Sequence, residues 1–207
     1  MANVVFDFGG VVFRWQPLEL LRQVLPQRAP DDATGRRWVS EMFQSFAVGG
    51  DWAAFDRGVS DADTVAQQIA ARSDLRADEV RAVIDAIPAH LVPIDDTLQL
   101  MRAVKQRGHR LFYLSNMPLE FASLLEHQHA FFDWFDDGIF SSRVRLIKPE
   151  PAIYLEAMRQ FSVAPADTVF IDDVAHNLDA AQALGWQGIR FESAAQCGEA
   201  LRKLGLI

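Results

Sequence analysis

The chain has 207 residues and a formal net charge of −8, and it contains one cysteine. That length suits one core domain with a sizeable insertion and excludes two large independent domains. Half of the residues are hydrophobic and 23% are charged, which excludes extended disorder. The acidic balance, without any run of Lys or Arg, excludes nucleic acid as the main partner. A local group of cations is still enough to hold one phosphate. Cys197 has no intrachain partner for a disulfide, and the apolar opening Val4 to Phe13 is broken by Asp7 and two glycines, so it reads neither as a secretion signal nor as a membrane span. A cytoplasmic location with no membrane partner is expected.

Val4-Val5-Phe6 is a β-branched and aromatic run that ends at Asp7 before Gly9-Gly10, the pattern of a buried strand breaking into a turn. From Leu18 to about Leu91 the period is helical. Trp38, Met42 and Phe46 recur four apart, and Val65 and Ile69 follow a cap expected at Ser60. Beyond Pro93 the grammar changes. A stripe of Ile94, Leu98, Met101 and Val104 stops at Gly108, and Leu111 to Leu114 is the next strand. A helix around Phe121 to Leu125, a strand at Gly138 to Phe140 and a helix carrying Ile153, Ala157 and Phe161 follow. The chain then reads as a strand at Thr168 to Ile171, a helix from Ala175 to Leu184 closed by Gly185, and a last strand at Gly188 to Phe191. Alternating strands and helices with short connections predict an α/β fold, a Rossmann-like parallel sheet covered by helices. The predicted core comprises residues 1–14 and 91–207, with a small helical cap at 15–90 inserted after the first strand.

In an open parallel sheet the crevice lies at the carboxyl ends of the strands. The polar groups expected there are Asp7, Ser115-Asn116 and Asp172-Asp173, with Lys148-Pro149 on a nearby loop. Each suits phosphoryl transfer, where positioning and charge neutralisation dominate. Asp7 can act as a nucleophile, and Asp7, Asp173 and the Gly9 carbonyl form an oxygen-only set that suits Mg²⁺. Ser115 and Asn116 can donate to phosphate oxygens, and Lys148 supplies positive charge. The five histidines lack zinc-ligand spacing. Trp15, Trp52 and Arg57 fit either a substrate cleft or the cap's own core.

These segments, FDFGGVV at 6–12, LSN at 114–116, KPEPAIY at 148–154 and FIDDVAHNLDAAQALG at 170–185, resemble the four ordered motifs of the haloacid dehalogenase superfamily over essentially the whole chain. The resemblance implies that Asp7 is the nucleophile, Ser115 the phosphate-binding hydroxyl and Lys148 the phosphate-bridging cation. It also implies that Asp173 is a direct metal ligand and that Asp172 acts on the metal through water. The KPEPAIY spacing and the GDWAAFDRGVSD stretch are most similar to the branch of sugar phosphatases and of the phosphatase domain of epoxide hydrolases. The implied activity is Mg²⁺-dependent hydrolysis of a small phosphorylated metabolite, such as a sugar phosphate, through an aspartyl-phosphate.

One position departs from that pattern. Two residues after the nucleophile such phosphatases carry a second aspartate that serves as acid and base, and here the residue is Gly9. A group of that kind contributes about 10²–10⁴-fold, so its loss predicts a steep dependence on the leaving group unless another acid comes from the cap near Asp51 or Asp56. Gly9 also fits a 2-haloacid dehalogenase, but the Asp172-Asp173 pair argues against a metal-free site for a carboxylate substrate. A regulator that binds a phosphorylated ligand without turnover is a third reading.

Overall fold

The computed structural model describes residues 1–207. Its centre is a five-stranded parallel sheet whose strands are β1 (Asn3–Phe6), β2 (Arg110–Ser115), β3 (Asp137–Phe140), β4 (Thr168–Asp172) and β5 (Gln187–Arg190), in the spatial order β3-β2-β1-β4-β5. β1 is therefore the middle strand, and Val5 sits opposite Phe112 of β2 and Phe170 of β4. Connectivity runs outward from β1 through β2 to β3, then returns to β4 on the other side. This reversal opens a crevice at the carboxyl end of β1.

The three central strands β1, β2 and β4 are buried almost throughout because both faces are covered, whereas the edge strand β5 is largely exposed. Val4, Phe6, Leu111, Tyr113, Val169 and Ile171 point into one hydrophobic cluster. Val5, Phe112, Leu114, Ile139 and Phe170 point into the other, beneath helices that carry Ile153, Ala157, Phe161 and Leu178. The period-2 alternation within each strand thus assigns side chains to layers.

Six α-helices lie between β1 and β2, and the first five form the insertion: α1 (Pro17–Val24), α2 (Asp32–Phe43), α3 (Asp51–Asp56), α4 (Ala62–Arg72) and α5 (Ala77–His90). The remainder, α6 (Asp95–Gln106), α7 (Leu119–Gln128), α8 (Ser141–Val144), α9 (Pro151–Phe161), α10 (Ala175–Ala183) and α11 (Ala194–Lys203), surround the sheet. The chain leaves and rejoins the sheet layer through paired segments. Arg14 N donates to Val92 O at 2.9 Å and Ile94 N to Val12 O at 2.8 Å. Apolar residues of the insertion, among them Leu20, Met42, Val65 and Ile84, belong to the same cluster as the larger sheet face.

Three local expectations need correction. Phe46 does not extend the Trp38/Met42 stripe, because α2 stops at Phe43 and Gln44, Ser45 and Phe46 all take positive φ. The Gln44 Oε1 instead accepts from Asp51 N at 2.7 Å and Phe46 stacks on Phe43. The cap of α4 is Asp61, whose carboxylate accepts from Thr64 N at 2.8 Å, while the buried Ser60 hydroxyl has no partner. The last strand is shifted by one residue and ends at Arg190.

Phe8, fully buried, anchors the turn after β1: its ring packs against Phe13, Tyr113, Phe132, Phe135 and Phe140. Emptying that position removes the transfer energy of a large aromatic and leaves a cavity. Phe8→Ala is expected to lower the unfolding free energy by about 3–5 kcal/mol, measured by urea denaturation.

Candidate active site

Asp7 is the first residue beyond β1, and its N–H donates to Ile171 O of β4 at 2.9 Å, so the sheet itself aims this carboxylate into the crevice. The chain then turns. The Phe8 carbonyl accepts from Val11, Val12 and Phe13 N–H groups. The two glycines that follow differ. A Cβ on Gly9 would meet nothing within 4 Å, whereas Gly10 has φ of 77° and its Cβ would stand 2.5 Å from Asp173 Oδ2. Gly10 is therefore required for both conformation and space, and Gly9 for neither.

Lys148 is buried, and its Nζ lies 2.8 Å from Asp7 Oδ1 and 2.7 Å from Asp172 Oδ2. Asp172, fully buried at the end of β4, also accepts from Val174 N at 2.8 Å and from Asn177 Nδ2 at 3.1 and 3.0 Å. Its oxygens thus accept from three protein groups, and through them it orients Lys148. Asn177 is buried in that network, and its carbonyl accepts from Tyr154 Oη at 2.8 Å.

Asn116 and Lys148 clamp each other: Lys148 N donates to Asn116 Oδ1 at 2.8 Å, and Asn116 Nδ2 donates to Lys148 O at 3.0 Å. Most of the Asn116 amide is consequently spent on holding the lysine loop beside β2, a positioning use that the sequence does not reveal. The Ser115 hydroxyl, buried at the end of β2, makes only a 3.5 Å contact with the Asn116 carbonyl and is available to an incoming oxygen.

The electrostatics follow from burial. Oxygen atoms of Asp7, Asp172 and Asp173 lie within 4.8 Å of one another, and only one ammonium accompanies the three carboxylates. Burial pushes the Asp7 carboxyl up to about 7, against the lowering pull of Lys148, and Asp172 and Asp173 reinforce the rise. Asp173 is pushed up to about 6 by burial and then by Asp172. Burial alone would lower the Lys148 ammonium, yet Asp172 and Asp7 hold it above its ordinary value. A hard divalent cation among these oxygens would offset the excess negative charge, and the donor set suits one.

The insertion contributes contacts that sequence reasoning left open. Trp52 is buried between Phe43 and Phe55 and is part of the helical layer's own core. Trp15 packs edge-on to Phe43, half-buried. Arg57 makes a bidentate pair with Glu150, at 2.8 and 2.6 Å, two residues beyond Lys148. Asp51 is taken by Arg72 at 2.6 Å, but Asp56 is buried without a side-chain ion pair. Ser141 was not singled out by sequence. Its Oγ accepts from Met117 N at 2.9 Å and donates to Asp56 O at 2.5 Å, tying the end of α3 to the loop after Ser115.

Residues 1–185 match the family of haloacid dehalogenase-like hydrolases. The chain is 29% identical to the sesquiterpene phosphatase astK of Aspergillus oryzae over 97% of its own length and 94% of that protein. Its fold is similar to that of a haloacid dehalogenase family enzyme of Bacteroides thetaiotaomicron in complex with magnesium and inorganic phosphate. That match has a TM-score of 0.64 and 20% identity, and covers 92% of this chain and 93% of the other. It is also similar to the L-2-haloacid dehalogenase of Xanthobacter autotrophicus, with a TM-score of 0.67 and 19% identity, over 99% and 83% of the two chains.

Asp56 permits a test by pH. Burial pushes its carboxyl up to about 8, with Lys148 opposing and Asp7 adding to the rise. The folded protein then keeps a proton that the unfolded chain releases above the ordinary carboxylate range, so this group's contribution declines as pH rises toward 8. Asp56→Asn removes that titration. In thermal unfolding at a series of pH values in EDTA, the variant's stability relative to wild type is expected to increase between about pH 4 and 8, by on the order of a few kcal/mol.

Proposed function

Because the chain belongs to the haloacid dehalogenase-like hydrolase family, we propose that it is a Mg²⁺-dependent phosphatase that cleaves a small phosphorylated metabolite through an aspartyl-phosphate on Asp7. The observation that carries this reading is the buried charge imbalance: three clustered carboxylates share one lysine at the topological reversal of the sheet. A divalent cation and a phosphate dianion enter such a site as complementary charges. The named activity of the Aspergillus relative supports the phosphate ester as substrate class.

In this reading Asp7, the Gly9 carbonyl and Asp173 hold the cation. When bound, it screens the attacking carboxylate from the phosphate and offsets charge on the phosphoryl oxygens. Lys148, fixed by Asp172 from one side and by Asn116 along its backbone, places its ammonium where equatorial charge develops. Ser115 donates to a phosphoryl oxygen, and Asn116 donates a further N–H to the phosphate. Asp7 attacks phosphorus in line with the departing oxygen, and water then cleaves the aspartyl-phosphate. Residues 15–90 act as a cap that closes over the crevice, while 1–14 and 91–207 carry the chemistry. Sugar phosphates and terpenoid phosphates are the esters to assay first.

Gly9 favours a second reading, 2-haloacid dehalogenation, since that chemistry needs no aspartate there. The charge count opposes it: a carboxylate substrate would add a further negative charge to the site.

Two experiments bear on the proposal. Asp7→Asn is expected to fold, by circular dichroism, and to lose phosphate release entirely; EDTA is expected to silence the wild type and Mg²⁺ to restore it. Full phosphatase turnover in EDTA, or halide release from 2-haloacids, would overturn the assignment. The two glycines give an independent check by calorimetric titration with Mg²⁺. Gly9→Ala is expected to bind as wild type does. Gly10→Ala is expected to bind much more weakly, because its methyl group displaces the Asp173 carboxylate.

A further inference from the structure

We propose that Asp56, at the end of α3 in the helical insertion, is the general acid and base of the reaction and stands in for the carboxylate that Gly9 lacks. The inference rests on the phosphatase reading above and concerns the proton that reading leaves unassigned.

The placement of Asp56 is over-determined. Its carbonyl is hooked by Ser141 Oγ at 2.5 Å, and Ser141 is itself held by Met117 N, two residues from Ser115. The next residue, Arg57, grips Glu150 beside Lys148. Gly58, with φ of 71°, passes so close to Ser142 that a Cβ would lie 2.7 Å from its carbonyl oxygen. Three consecutive residues thus pin the end of α3: Asp56 and Gly58 against the start of α8, and Arg57 against the loop after Lys148. The Asp56 side chain is 6% exposed, makes no ion pair or hydrogen bond within the protein, and feels two charges, the Lys148 ammonium and the Asp7 carboxylate. The other acidic candidate near the start of α3, Asp51, is occupied by Arg72.

The reaction geometry requires a donor on that side. Asp7 attacks from the sheet, so the leaving oxygen departs in the opposite direction, toward the insertion. Gly9 supplies no carboxylate to that oxygen, and the position of its absent Cβ has no heavy atom within 4 Å. As the bond from Asp7 to phosphorus forms and the ester P–O bond breaks, the leaving oxygen takes the proton of the Asp56 carboxyl and departs as an alcohol. The Asp56 carboxylate then takes a proton from the water that attacks phosphorus. The bond to Asp7 breaks, phosphate leaves, and both carboxyl groups return to their starting states. A buried carboxyl held protonated near neutrality, as Asp56 is, meets the requirement of the first step.

The test uses the full-length protein with Mg²⁺ and a series of alkyl and aryl phosphates. In the wild type, rates are expected to vary little with leaving-group acidity; a steep dependence would overturn the proposal without any variant being made. Asp56→Asn is expected to lose about 10²–10⁴-fold in kcat on alkyl phosphates and far less in the phosphorylation of Asp7 by 4-nitrophenyl phosphate. That variant is expected to release a burst of one nitrophenolate per enzyme before slow turnover. Adding Gly9→Asp to Asp56→Asn is expected to recover alkyl phosphatase activity, which no purely structural role of Asp56 explains. Equal losses on both ester classes with no burst, or no recovery in the double variant, would refute the role of Asp56 while leaving the phosphatase reading intact. Absence of phosphate release by the wild type from every ester would instead sink the phosphatase reading itself.

Discussion

The ammonium of Lys148, enclosed between Asp7 and Asp172, is the contact on which the rest of the site depends. A buried ion is costly unless its partners and hydrogen bonds are in place, and this one draws them from across the chain. Asp172 closes β4, Asn177 lies in the first turn of the helix after it, Asp7 follows β1, and Asn116 follows β2. The ends of the three central strands therefore contribute to holding one positive charge, and those strands are coupled electrostatically as well as by their ladders.

That coupling leaves a deliberate surplus. One lysine cannot neutralise Asp7, Asp172 and Asp173; burial first, and then the neighbouring carboxylates, raise Asp7 and Asp173 above the ordinary carboxylate range. On the proposed reading, a cation and a phosphate dianion would enter together and offset that surplus. Binding energy and catalytic posture would then arise from the same imbalance. The aromatic group around Phe8 supplies the mechanical complement, since it fixes the turn that presents Asp7 and the two glycines.

How much of this was legible depended on the range of the interaction. The sheet strands were readable because Val4 to Phe6, Leu111 to Leu114 and Thr168 to Ile171 are short apolar runs bounded by turn residues, and their local composition matches their burial. The polar strand ends were readable for the same reason. Phe46 misled because its spacing is helical while its backbone is left-handed, a conformation that side-chain periodicity does not report. Ser60 and Asp61 both suit a helix cap, and only the bond to Thr64 N distinguishes them. The clamp of Asn116 on Lys148 spans 32 residues and the hook of Ser141 on Asp56 spans 85. Nothing in either local sequence encodes a partner so distant, so the positioning residues lay beyond pattern reading even where the charged ones did not.

The paired segments at the base of the insertion carry an evolutionary consequence. Val12 to Arg14 and Val92 to Ile94 run side by side through two backbone hydrogen bonds, so the start and finish of the helical layer lie next to each other in space. Closing a longer excursion between fixed neighbouring points costs little additional chain entropy. Lineages can therefore lengthen, shorten or recombine this layer without moving the strand that bears Asp7. The constraint on such exchange is surface chemistry: Phe55 packs on Phe121 and the two layers share one apolar cluster. Any replacement layer must bring its own greasy underside and, on the role proposed for Asp56, a carboxyl group placed as that residue is.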